Sequence, residues 1–179
     1  MNYHNITKDD MLNGDGLRVV LWVAGCTHHC QGCQNPITWD VGGGIPFDDA
    51  AEKELFEALN RPHVSGITFS GGDPLHPFNR EEVFRLIKKI RTELPQKTIW
   101  LYTGYTFEQC VLEPGGDLPT HNVLKLNRQC IVERCDVLVD GEYIEKQRDI
   151  TLKWRGSKNQ RVINIPETLK QNKVVLYCD

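Results

Sequence analysis

The sequence predicts an α/β fold in which a parallel sheet curls into an incomplete TIM-type β/α barrel, and two observations carry that reading. Apolar, β-branched runs alternate with amphipathic stretches, the pattern of strands joined by right-handed helical crossovers. At 179 residues the chain falls short of the about 250 that a closed eight-unit barrel takes, so only part of the ring fits. With 40% apolar residues, residues 1–179 read as one domain able to bury a continuous core without disulfide staples.

Met1 to Asp10 is polar and lacks the basic start, apolar stretch and cleavage site of a secretory signal. Arg18 to Ala24 is apolar and β-branched on both faces and stops at Gly25, as a buried strand does. Asp48 or Asp49 caps a helix running to about Leu59, with Leu55, Ala58 and Leu59 on one face. Gly66 to Ser70 is the second strand. Asn79 stands three residues before Glu82, a weak relative of the capping box, and opens a helix whose stripe of Val83, Phe84, Leu86, Ile87 and Ile90 runs up to Pro95. Thr98 to Tyr102 is a third strand, Phe107 to Leu112 a short helix ended by Pro114 and the glycines behind it, and Asp136 to Val139 a fourth strand. Beyond Thr151 the pattern weakens, although Arg161 to Ile165 and Lys173 to Tyr177 each have strand character. No repeat or low-complexity segment interrupts this order.

Lys and Arg total 21 against 24 Asp and Glu, and a net charge of -3 offers no general field for nucleic acid or an anionic membrane. No run approaches the roughly 20 apolar residues of a membrane-spanning helix. Seven cysteines in a chain without an export signal argue for reduced thiols, metal ligands or catalysis in a cytoplasmic compartment, since an odd count leaves a disulfide framework incomplete.

Three of those cysteines carry the chemistry. Cys26, Cys30 and Cys33 lie within eight residues, straight after the first buried strand, so one loop can wrap one inorganic cluster. A buried electron-transfer cluster and a closed zinc site usually take four ligands, whereas three leave one iron open to a substrate. The alternatives are unliganded thiols, or a zinc site completed by His28, His29 or a remote cysteine. Taken alone, His28 and His29 read as solvent-facing loop residues. Cys110, Cys130, Cys135 and Cys178 have no matching spacing and read as buried, inert thiols, with Cys130 and Cys135 as half of a second metal site the alternative.

Cys26, Gly71 to Asp73, Thr103 and Asp140 all fall just past the carboxyl ends of expected parallel strands. Ligands of such sheets and barrels bind along that edge. Each group also has a plainer reading, since Gly-Gly-Asp is an ordinary turn and a lone Asp or Thr at a strand end is commonly a cap.

The Cys-x-x-x-Cys-x-x-Cys loop resembles the radical S-adenosylmethionine superfamily, and Ser70-Gly71-Gly72-Asp73-Pro74-Leu75 resembles its Gly-Gly-Glu type motif. The longer string from Ser70 to Pro77 and Trp154-Arg155-Gly156-Ser157-x-Asn159-Gln160 resemble the activases of anaerobic ribonucleoside-triphosphate reductase. Asn13-Gly14-x-Gly16, Thr103-Gly104-Tyr105 and Val137 to Gly141 extend the resemblance over nearly the whole chain. Gln34 departs from it where an aromatic residue is common, and so does the long segment after Ile163.

The resemblance implies an oxidoreductase with a [4Fe-4S] cluster on Cys26, Cys30 and Cys33 whose open iron binds the methionine end of S-adenosylmethionine. It further implies an external one-electron donor, such as a flavodoxin-type protein, and reductive cleavage to methionine and a 5'-deoxyadenosyl radical. That radical takes a hydrogen from a glycine Cα of the protein substrate, the anaerobic ribonucleoside-triphosphate reductase. The Gly71 and Gly72 carbonyls and the Asp73 carboxylate would accept from the methionine ammonium. Thr103 and Asp140 would serve the ribose or methionine side, and Gly32, Cys33 and Gln34 the adenine edge. Lys153, Arg155, Lys158 and Arg161 form a basic stretch that is either solvated or set against the cofactor carboxylate or the partner. Two rivals stay open: an activase of another glycyl-radical enzyme of the formate-lyase type, and a non-catalytic iron-sulfur or zinc protein.

Overall fold

The computed structural model describes residues 1–112 and 127–178. Among these, seven strands form one sheet: β1 (Asn2–Asp10), β2 (Arg18–Val23), β3 (Ile45–Pro46), β4 (Gly66–Gly71), β5 (Thr98–Tyr102), β6 (Val137–Asp140) and β7 (Arg161–Asn164), in the order β3-β1-β2-β4-β5-β6-β7. β2, β4, β5 and β6 run parallel. Their register is continuous, with Leu21 opposite Phe69 and Phe69 opposite Leu101.

The sheet is mixed rather than parallel throughout, because β1 pairs antiparallel with β2 and β3, and β7 antiparallel with β6. Residues 11–17 join β1 to β2, and so short a link returns a strand antiparallel, since a parallel crossover needs a dozen residues or more. β1 escapes sequence reading because its outer face is polar; only Tyr3 and Ile6 are buried, pairing with Val23 and Leu21. Arg161 to Asn164 is a strand as expected, but Ile165 instead opens α5 (Ile165–Gln171), where the Asn164 side chain accepts from Glu167 N and Pro166 sits in the first turn. Lys173 to Tyr177 forms no strand. It touches β7 through one antiparallel bridge between Ile163 and Leu176.

Helices cover one face. α1 (Asp49–Leu59) starts where Asp48 accepts from Ala51 N at 2.9 Å. α2 (Arg80–Glu93) starts at Asn79, but without the expected capping bond. The Asn79 amide instead donates to Ala24 O at 2.9 Å and Asp73 O at 3.0 Å, tying the ends of β2 and β4 together. α3 (Phe107–Val111) opens with a capping box between Thr106 and Gln109, while Pro114 and the following glycines lie outside the described residues. α4 (Arg128–Val132) precedes β6. Leu55, Leu86, Ile87, Ile90 and Ile131 from the helices meet Val19, Leu21, Phe69 and Leu101 of the sheet in one buried core.

The other face carries a smaller cluster of Trp100, Val137, Val139 and Val162, with Tyr102 and Trp154 against it. Arg18 is fully buried here. Its guanidinium donates to the hydroxyls of Thr68 and Thr98 and to the carbonyls of Asp15, Ile67 and Thr98. Cys110 and Cys135 are buried as expected, whereas Cys130 and Cys178 are only partly so. Cys135 donates to Ile131 O at 3.4 Å, which places it in the packing of α4 rather than in a metal site with Cys130. Among the described residues no helix is long and apolar enough to cross a membrane.

Candidate functional site

The carboxyl edge of β2 and β4 builds the site. Past Val23, Gly25 takes a φ of 101°, a conformation that costs a residue without Cβ little. Gly25 N donates to Thr38 O at 2.8 Å and Cys26 N to Trp39 O at 3.0 Å, so the loop from Cys26 leaves and returns at one point. Within it His29 and Gly32 have positive φ, Cys33 N donates to Cys30 O at 3.1 Å, and Asn35 N reaches Cys33 Sγ at 3.4 Å.

All three thiols are free and half-buried. Burial pushes the Cys26 thiol up to about 11 and raises that of Cys30. A metal held there would reverse this, because a coordinating thiol is deprotonated outright. Among the described residues, no three His, Cys, Asp or Glu side chains are gathered tightly enough for a single metal ion. A closed zinc site asks for just that. His28 cannot complete one in this arrangement, since both its ring nitrogens already face carboxylates. Three thiols on one loop, two of them lining an adjoining cavity, suit a multi-atom cluster, which takes its ligands farther apart than a single ion does.

Beside the loop lies a cavity of about 400 Å³, within the roughly 300–1,000 Å³ of small-molecule sites. Its floor is the row Trp22, Ser70 and Tyr102 on the helix-free face. Cys30, Cys33 and Gln34 form one wall, and Trp154, Arg155, Gly156 and Gln160 another. Two polar atoms in its walls, Tyr102 Oη and Arg155 Nε, are buried without a partner. Burial raises the Tyr102 pKa, which keeps its hydroxyl a neutral donor.

The Gly71–Asp73 turn adjoins the cysteine loop, with Gly72 N donating to Val23 O and Asp73 N to Gly25 O, both at 2.8 Å. A Cβ on Gly72 would stand 2.5 Å from Gly25 O and 2.9 Å from Thr38 O. Backbone of the cysteine loop therefore fills the space that glycine leaves. The Asp73 carboxylate is buried and accepts from Leu75 N, the Thr103 hydroxyl, Gly104 N and His28 Nε2, the last at 2.9 Å.

His28 is not a solvent-facing loop residue. Its side chain is 10% exposed, with Nδ1 2.8 Å from Glu142 Oε1 and Tyr105 edge-on at 4.6 Å. The bond to Asp73 foremost, then that to Glu142, raises its pKa against the opposing effect of burial.

The remaining residues singled out from sequence fall elsewhere. Gly32 stands against Glu145, where any Cβ would collide. Asp140 lines a separate polar depression with Glu108 and Arg161. It accepts there from Phe107 N at 2.7 Å and from the Arg161 guanidinium, and Arg161 also bridges to Glu108. In the basic stretch Lys158 pairs with Asp149 at 3.5 Å, so Arg155 is the member that enters the cavity. Tyr102 and Trp22 went unmarked as site residues from sequence, and His28 reads there only as a zinc ligand or a solvent-facing loop residue; strand parity, which sets Trp22 opposite Ser70, was the one signal that could have flagged Trp22.

A family model described as a 4Fe-4S single cluster domain matches residues 12–163. The anaerobic ribonucleoside-triphosphate reductase-activating protein of Escherichia coli (strain K12) is 40% identical over 164 residues, covering 90% of this chain and 97% of its own. That of Haemophilus influenzae is 38% identical over 162 residues, 89% and 96% of the two chains. That of Enterobacteria phage T4 is 42% identical over 162 residues, 90% and 93%.

Proposed function

The chain belongs to the family of anaerobic ribonucleoside-triphosphate reductase-activating proteins with a 4Fe-4S single cluster domain, and from that premise we propose that it is a radical S-adenosylmethionine enzyme that sets a glycyl radical on that reductase. The observation that carries this is the junction of a three-thiol loop with a cavity holding unpaired polar atoms, at the carboxyl edge of parallel strands.

Cys26, Cys30 and Cys33 would hold a [4Fe-4S] cluster and leave one iron free. When bound, the cluster supplies an electron from a flavodoxin-type donor that cleaves S-adenosylmethionine to methionine and a 5'-deoxyadenosyl radical, which removes hydrogen from the glycine Cα. The chain's own residues orient and shield. The Gly71 and Gly72 carbonyls offer acceptors to the methionine ammonium, and Asp73 holds that turn against Thr103 and Gly104. Arg155 Nε provides a charge-assisted donor for a carboxylate, Tyr102 Oη a donor for an oxygen, and Trp22 and Trp154 apolar walls that exclude water. Cys33 and Gln34 place backbone toward the adenine edge.

In this reading residues 1–179 form a single cytoplasmic domain whose mixed sheet is an incomplete β/α barrel. Its open side admits a polypeptide segment to the cavity. Reconstitute the protein with iron and sulfide without oxygen, reduce it, and add S-adenosylmethionine with candidate glycyl-radical proteins. A glycyl doublet in electron paramagnetic resonance on the anaerobic ribonucleoside-triphosphate reductase is expected. A doublet on a formate-lyase type protein alone would overturn the substrate.

A further inference from the structure

The imidazole of His28 touches nearly every element of the site. It stands in the loop between Cys26 and Cys30, two residues from each. Nε2 meets Asp73 at the end of β4 and Nδ1 meets Glu142 beyond the end of β6. Between them, the ring lies against Gly104 and Tyr105, just past β5. Carboxylates on both nitrogens leave the ring no freedom to rotate, and at 10% exposure it has little contact with water. Gly104 is part of the same device, because a Cβ there would overlap the imidazole. Asp73 in turn is held by Thr103 and two backbone amides. The chain Glu142, His28, Asp73, Thr103 thus runs from the surface to the base of the Gly71–Asp73 turn.

We infer that His28 is a positioning residue that pins the cysteine loop against the Gly71–Asp73 turn and so sets the cluster's open side relative to the groups that receive the methionine end of S-adenosylmethionine. The inference rests on the cofactor reading given above. The arrangement follows from chemistry: three thiolates fix a cluster within its loop but not the loop against the sheet. A side chain carrying two opposed hydrogen bonds does that. Asp73 and Thr103, on this view, act on the cofactor through His28 as well as through the turn they brace.

The test uses His28→Ala, His28→Gln, which keeps a donor near Nε2, and Glu142→Ala, which alters a half-exposed side chain that folding can spare. Each reconstituted protein is assayed for iron content, S-adenosylmethionine affinity, and the change that S-adenosylmethionine causes in the spectrum of the reduced cluster. Amide hydrogen exchange over residues 26–33 is followed in the metal-free proteins. His28→Ala is expected to keep most of its iron and to lose affinity about 10- to 100-fold, the usual cost of removing a residue that orients a metal site. Its cofactor-induced spectral change should shrink, exchange in the loop should quicken, His28→Gln should recover much of each, and Glu142→Ala should fall between. Wild-type affinity and unchanged loop exchange in His28→Ala overturn the inference. If the wild-type protein itself binds no S-adenosylmethionine, the cofactor reading fails, and loop exchange still decides whether His28 pins the loop.

Discussion

Arg18 and Arg155 stand over the same helix-free face of the sheet, and the protein treats them in opposite ways. Arg18 is fully buried with no carboxylate bonded to it, yet its five N–H groups find five acceptors and its guanidinium lies 5.2 Å over the Trp100 ring. Burial alone would expel the charge and pulls its pKa down to about 10; the acceptors keep it in place. Arg155, toward the carboxyl edge, leaves Nε buried and unpaired beside the equally unpaired Tyr102 hydroxyl. A buried orphan costs about 1–3 kcal/mol. The fold can satisfy a cation completely where the role is structural, and in the function proposed above the partner of the polar atoms left unpaired around the cavity is the ligand.

The sharpest break between the two regions is in stability. Arg18→Ala leaves a cavity and strands several buried acceptors, and should cost about 3–5 kcal/mol in denaturant titration. Arg155→Ala, which removes an orphan rather than a satisfied group, should leave stability unchanged or slightly raised in the same titration. In S-adenosylmethionine affinity the order reverses: Arg155→Ala should lose about 1.5–3 kcal/mol, the worth of a hydrogen bond to a charged group, roughly 10- to 150-fold. Equal losses of stability in both variants would erase the distinction. Tyr102→Phe sharpens it, since removing an orphan hydroxyl should leave stability unchanged or slightly raised while affinity drops by about 0.5–1.5 kcal/mol.

The smallest effect belongs to the outer depression. The bond from Arg161 holds the Glu108 carboxyl down at about 2, below its ordinary 4.5. Because the folded value is depressed, the pair's stabilisation is full above about 4.5 and fades as pH falls toward 2. Half-exposed as it is, Glu108 contributes less than about 1 kcal/mol. Glu108→Gln should therefore trail wild type slightly at pH 7 and converge with it only as pH approaches about 2, followed by urea midpoints. A gap that widens on acidification would place the ion pair elsewhere.

The same contrast explains what the sequence made legible. β2, β4, β5 and β6 announce themselves as apolar runs because both their faces are buried, and Asp48 announces α1 because capping is local. β1 hides behind a polar outer face, and α5 behind the β-branched run Val162 to Ile165, although Asn164, Pro166 and Glu167 spell a helix start. The cysteine triplet stood out in the sequence because its three thiols lie within one loop. The partnership of His28 with Asp73, 45 residues away, was not, for no local pattern encodes which strand end a loop histidine will meet. Asn79 misled for the same reason, its amide serving two distant carbonyls rather than its own helix.

The central claim is that three thiols at this edge hold a cluster that cleaves S-adenosylmethionine, and one assay reaches it directly. Replace each of the seven cysteines by alanine, reconstitute without oxygen, reduce, and measure bound iron together with 5'-deoxyadenosine formed. Cys26→Ala, Cys30→Ala and Cys33→Ala should each lose the cluster and the product, while Cys110→Ala, Cys130→Ala, Cys135→Ala and Cys178→Ala retain both. A fully loaded Cys30→Ala protein, or a loaded wild-type protein that forms no 5'-deoxyadenosine, would contradict the account.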